Sequence, residues 1–188
     1  MGSSADNVLV NADKRIFFLS DDIDNISVGK MCFNLLYILH EDDTEESTKK
    51  DYKRKPIRIF INSNGGSVYD MWALVDIIEH SKTPIYTYCD SYAMSAAFII
   101  FLSGHKRFAT RHATFLYHQM SGWRSGKYQD LVEDREEMDF LQSSIENYVA
   151  ERSNITLEQL EECRLTKKDV YIHTNKAIEL GIIHEVIS

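Results

Sequence analysis

Proline is scarce in this sequence: of 188 residues only Pro56 and Pro84 are prolines, and only eight are glycine. So few chain breakers exclude a collagen-like or Pro/Gly-rich disordered chain. No linker rich in either residue divides the sequence, and no internal repeat is visible. A single domain over 1–188 fits that length and leaves room for a sizeable core. Cysteine is sparse as well. Cys32, Cys89 and Cys163 lie far apart, and no CxxC pair occurs. That spacing indicates neither a zinc site nor a disulfide framework, and a reducing, cytoplasmic compartment suits it. No apolar run reaches the roughly 18 residues of a membrane span. The start, MGSSADN, lacks the basic flank and apolar core of a secretory signal. Positive charge is in deficit: 21 Lys and Arg face 29 Asp and Glu, a formal net charge of -8. Modules that bind nucleic acid are usually basic, so that partner is not expected.

What is present reads as strands alternating with helices. RIFFLS at 15–20 has the aromatic and β-branched content of a strand, and so does IRIFI at 57–61. Between them, 26–40 carries Val28, Met31, Cys32, Leu35, Leu36 and Leu39 at helical spacing. Residues 41–56, with acids first and bases second, read as an extended charged surface loop, and residues 1–13 as a short tail. From Ser67 a helix buries Val68, Met71, Leu74, Val75 and Ile78 on one face. IYTYC at 85–89 is a strand, 94–102 a helix, and ATFLYH at 113–118 a strand ending in histidine. A long helix spans about 127–152, with Leu131, Met138, Leu141, Ile145 and Tyr148 on its apolar face. Thr156 and Gln159 form a capping box for a shorter helix. A helix after Thr174 stops at Gly181 and leads into a last strand, IIHEVI. This alternation predicts an α/β domain with a largely parallel sheet.

In such sheets ligands gather outside the carboxyl ends of the strands. Three strand ends here carry polar chemistry: Asn62–Gly66, Ser91–Ser95 and His118. A serine nucleophile needs a base, usually histidine, and the histidine needs an orienting carboxylate. The oxyanion needs preorganised donors, for which the Ala96 amide at a helix start and an amide of Gly65-Gly66 are candidates. Each piece also has an inert reading. Gly-Gly after a strand is often a tight turn, and a buried serine often caps a carbonyl. The nucleophile elbow G-x-S-x-G is absent. Ala93 and Ala97 stand at its glycine positions, where alanine can replace glycine only if the turn keeps φ negative, which periodicity does not show. Spacing alone therefore leaves a serine hydrolase and a quiet core serine both open.

Taken together, INSNGGSV at 61–68, YAMSAAFIIFLSG at 92–104, ATFLYHQM at 113–120 and KKDVYIHTNKAIELGIIHEVI at 167–187 resemble the proteolytic subunit family of the Clp protease. The resemblance covers roughly residues 14–187. It implies a ClpP/crotonase-like spiral of repeated β-β-α units, with the helix at 127–152 as a protruding handle. It implies a Ser95, His118, Asp169 triad and an oxyanion hole from the backbone amides of Gly66 and Ala96. The substrate would be an unfolded polypeptide, added as a strand beside Gly65, Ser67 and Val68 and the segment 121–126, which includes Gly122. No cofactor and no metal is implied. The partners implied are further copies of the chain, as a heptameric ring or double ring, and the family also admits an AAA+ unfoldase.

The sequence departs from the family at several positions. Ala96 and Ala97 replace methionine and glycine, Met120 replaces a proline, Lys168 an arginine, and Lys127 a handle glutamine. A lysine cannot reproduce bidentate arginine contacts. The chain also begins almost directly at the first strand, where the family has its axial pore segment. These departures keep three other readings in view: an inactive or regulatory ring subunit, a phage-type head-maturation protease, and, more distantly, a crotonase-type acyl-CoA enzyme.

Overall fold

The computed structural model describes residues 8–187. Its chain runs β1 (Val8–Asn11), β2 (Ile16–Leu19), α1 (Asn25–Thr48), β3 (Ile57–Ile61), α2 (Val68–Glu79), β4 (Ile85–Cys89), β5 (Tyr92–Met94), α3 (Ala96–Ser103), β6 (Lys106–Thr110) and β7 (Thr114–Tyr117). It continues with α4 (Tyr128–Arg152), α5 (Leu157–Thr166), β8 (Val170–His173), α6 (Thr174–Glu179) and β9 (Glu185–Ile187).

Two sheets result. The larger has the order β1-β2-β3-β4-β6-β9. All its neighbours pair parallel except the β1–β2 hairpin. The smaller has the order β5-β7-β8. Strands come in pairs, one per sheet, each pair followed by a helix: β4, β5, α3, then β6, β7, α4. These are the β-β-α units of the expected spiral. Helix α3 sits at the centre, and all eight of its residues are buried. It packs between α2, α4 and β4. Alternation along the parallel strands leaves Phe18, Phe60, Tyr88 and Phe108 in register on the opposite face, stacked at 4.8–4.9 Å. Arg107 is 5% exposed and ties the helix ends together. Its guanidinium donates to the carbonyls of Leu102, Arg152, Gly181 and Ile182.

Some expectations need correction. Residues 41–48 are not loop but the last two turns of α1. Their acids are held by cations brought from elsewhere in the chain. Arg15 pairs with Asp42, and Arg54 pairs with Asp43 and Glu46. Of the tail expected over 1–13, residues 1–7 lie outside the described residues, while Val8–Asn11 form β1 on β2. Met94 belongs to a strand rather than to the helix that follows it. In α1, Leu36 is exposed and Ile38 takes its place in the core. In α4 only the second half packs on α3 and α5. Leu141, Ile145, Tyr148 and Val149 are buried, while Tyr128, Leu131 and Phe140 are exposed.

Candidate active site

Between β5 and α3 the chain turns on one residue, Ser95, with φ 53 and ψ -126. L-residues avoid this region, and a strand-turn-helix serine held there is a strained elbow. The positive φ falls on Ser95 itself, and the alanines at the two glycine positions of the motif keep negative φ. Ala93 lies in a strand and Ala97 in a helix, so neither carries the turn. The glycine such an elbow needs comes instead from a neighbouring strand end. A Cβ on Gly65 would stand 2.7 Å from Ser95 Cβ and 2.8 Å from the Met94 carbonyl oxygen. The elbow is fastened on its other side by the Ser95 amide, which donates to the Leu116 carbonyl of β7 at 2.9 Å.

The turn after β3 is equally constrained. Gly65 and Gly66 have φ of 105 and 152. A Cβ on Gly66 would fall 2.2 Å from the Ile23 carbonyl oxygen. The buried Ser63 accepts from the Gly65 amide and pairs by its backbone with Ala93 of β5. These contacts leave two amides in hand. Among the described residues, neither the Gly66 nor the Ala96 N–H donates to a protein acceptor. Both residues line one small cleft of about 70 Å³ together with Ser95, His118, Val68 and Met120.

The other expected site residues are arranged around that cleft. Gly65 lies behind it, against Ser95. Ser67 caps α2, its hydroxyl accepting from the Asp70 amide at 3.3 Å. Gly122 is exposed in the segment between β7 and α4. Strands β7 and β8 pair antiparallel with Tyr117 opposite Val170. The ladder ends there, and His118 and Asp169 are the next residues along the two chain segments. Asp169 is exposed, and among the described residues no hydrogen bond joins the side chains of Ser95, His118 and Asp169. Burial, and next the nearby Glu146 carboxylate, push the Tyr117 hydroxyl far above its usual range, so it stays protonated. Burial, then the Asp169 carboxylate, also raise the Cys163 thiol. Among the described residues no cluster of His, Cys, Asp and Glu could hold a metal, and no helix is long and apolar enough to cross a membrane.

Sequence reasoning missed the cleft's apolar wall, Met71, Ile99 and Ile145. They were legible only as helix-face residues, because the same periodicity serves core and cleft alike. It also missed Gln142, whose side-chain carbonyl accepts from the Met120 amide at 2.8 Å.

A two-sheet α/β fold of β-β-α units, with its cleft at the strand carboxyl ends, defines the architectural class. Sequence comparison narrows it. The Clp protease family model matches residues 3–188. The ATP-dependent Clp protease proteolytic subunit 1 of Prochlorococcus marinus (strain MIT 9312) is 30% identical over 176 residues, covering 93% of this chain and 84% of the relative. The proteolytic subunit 2 of Synechococcus sp. (strain CC9605) is 27% identical over 176 residues, covering 93% and 83%. The chain belongs to the Clp protease family.

Proposed function

We propose that this protein is a serine endopeptidase that hydrolyses unfolded polypeptides through an acyl-enzyme on Ser95. The observation that carries the reading is the elbow itself. A strained serine, two undonated amides (Gly66 and Ala96) and His118 share one cleft. In this mechanism His118 takes the Ser95 proton as Oγ attacks the peptide carbonyl. The Gly66 and Ala96 amides hold the oxyanion, helped by the positive end of α3. His118 then protonates the leaving amine, and water repeats the sequence to release the acid. In this reading Asp169, the residue before β8, orients the imidazole. The substrate adds as a strand beside Gly65, Ser67 and Val68, with Gly122 on its other side.

The exposed Tyr128, Leu131 and Phe140 on the projecting half of α4 support assembly with further copies of the chain. We take that assembly to be a ring or double ring enclosing the clefts, with an ATP-driven unfoldase as candidate partner. In the assembled protein, Ser95→Ala abolishes peptide hydrolysis and fluorophosphonate labelling while the circular dichroism spectrum is unchanged. Labelling that persists at the wild-type rate sinks the proposal. A second reading, a regulatory ring subunit without activity, is favoured by the exposed Asp169 and the absence of a hydrogen bond among the three side chains. Wild-type protein that assembles yet never labels supports it.

A further inference from the structure

The β7–β8 ladder stops at Tyr117 and Val170, one residue short of His118 and Asp169. Two of the three proposed catalytic side chains therefore stand at a ladder end, where strand pairs open most readily. A set of side-chain bonds takes over where the ladder stops. The Met120 amide, two residues past His118, donates to Gln142 Oε1 of α4 at 2.8 Å. The Gln142 amide donates to Glu146 Oε1 at 2.9 Å and reaches the Tyr117 hydroxyl at 3.4 Å. Glu146 Oε1 in turn accepts from Arg164 Nε of α5 at 2.9 Å. From Arg164 the path to Asp169 is short and fastened. Lys167 closes α5 in the left-handed conformation, the Lys168 amide donates to the Cys163 carbonyl, and the Cys163 thiol donates to the Lys168 carbonyl at 3.0 Å.

We propose that Gln142 and Glu146 are positioning residues that hold the His118 and Asp169 chain ends against each other. This role rests on the serine-peptidase reading. Its physical ground is the cost of the arrangement. Gln142 and Glu146 are each 8% exposed, on the same buried stripe of α4 as Leu141, Ile145 and Val149. Polar groups in such a place destabilise the fold unless they are satisfied. Here their bonds lead not to random neighbours but to the two segments that carry the base and its orienting acid. Residues 119–127 have no regular structure of their own, so the Met120 bond fixes the wall of the cleft immediately after His118.

The test uses the full-length assembled protein with Gln142→Ala, Glu146→Ala, Glu146→Gln and, as a control on the same helix, Val149→Ala. Two quantities are read: kcat and KM for a fluorogenic peptide, and amide hydrogen exchange at Met120 and at 167–169. In the two polar-to-alanine variants exchange accelerates in both segments, and kcat falls roughly tenfold or more, as misplacement of reacting groups predicts. Glu146→Gln retains most of the rate, because its carbonyl accepts from the same two donors. Val149→Ala lowers the melting temperature but leaves kcat near wild type. Active wild type with unchanged kcat in both alanine variants overturns the role. So does an equal loss in Val149→Ala, or no rescue by Glu146→Gln. Wild type that neither hydrolyses peptide nor labels at Ser95 overturns the peptidase reading, and the role with it.

Discussion

The two ends of the large sheet are built in opposite ways. At the amino ends of β2, β3 and β4, Asp42 is fully buried and fully partnered. Arg15 donates to both of its oxygens, Thr83 donates at 2.6 Å, and Tyr52 adds a further hydroxyl. These groups come from the starts of β2 and β4, from the turn after α1 and from α1 itself, so one carboxylate fastens four segments. At the carboxyl ends the chain is strained and incompletely bonded. Ser95 has a positive φ, two glycines occupy conformations closed to other residues, and two amides have no protein acceptor among the described residues. A charge sealed among its partners makes an end rigid. On the serine-peptidase reading, strain and open donors are what the other end needs to react, and the fold can hold them because the first end is secure.

This contrast can be broken from either side. Removing the Asp42 carboxylate leaves Arg15 beside a buried void. Asp42→Ala destabilises the fold by about 3–5 kcal/mol, read as a lower urea midpoint, while the molecules that remain folded still label at Ser95. Loss of labelling in folded protein would show that the two ends are coupled. Gly65→Ala acts at the other end. Its Cβ meets Ser95 Cβ and the Met94 carbonyl inside contact distance, and neither can swing away. We expect a roughly hundredfold slower labelling and a smaller stability loss of about 1–3 kcal/mol.

Acid sharpens the same comparison. Burial pushes the Asp42 carboxyl up, but hydrogen bonds from Arg15, Thr83 and Tyr52 outweigh it and hold the group at about 2, below its ordinary 3.8. The folded state thus binds the proton less readily than the unfolded chain. Its contribution is complete above about pH 4 and is lost as pH falls through that range towards 2, amounting to about 2 kcal/mol. Urea midpoints measured from neutral pH down to about pH 3 should decline, and Asp42→Asn should flatten that part of the slope. An unchanged slope would mean that another carboxylate governs acid unfolding.

How much of this was legible depended on whether the signal was local. The strands IRIFI and IYTYC, the α5 capping box and the α4 span appear where periodicity and caps put them, since each depends on adjacent residues. Strand β6 was not seen because it opens on Lys106 and Arg107. Its burial depends on carbonyls from Leu102, Arg152, Gly181 and Ile182, which only the folded chain gathers around Arg107. The last two turns of α1 were missed for a similar reason, because the cations that hold their acids arrive from residues 15 and 54. At the site, the chemical types were readable at three strand ends and the family motifs linked them. The elbow's geometry was not, because the missing glycine of G-x-S-x-G is supplied as Gly65 by a separate strand.

The smallest predicted effect is the most specific to that geometry. At most strand or helix positions, replacing a residue by glycine costs about 0.5–1 kcal/mol more than replacing it by alanine, since glycine gains more freedom on unfolding. At position 95 the order should invert. The backbone sits at φ 53 and ψ -126, where an L-residue with a Cβ carries about 1–3 kcal/mol of strain. Alanine keeps that strain and glycine releases it, so the release should outweigh the entropic loss. Ser95→Gly should therefore be more stable than Ser95→Ala by about 1 kcal/mol, although on the peptidase reading neither should hydrolyse peptide. Paired thermal melts of the two variants read the difference directly. If Ser95→Ala proves the more stable, the elbow is not strained in solution, and the contrast between the two ends of the sheet loses its energetic basis.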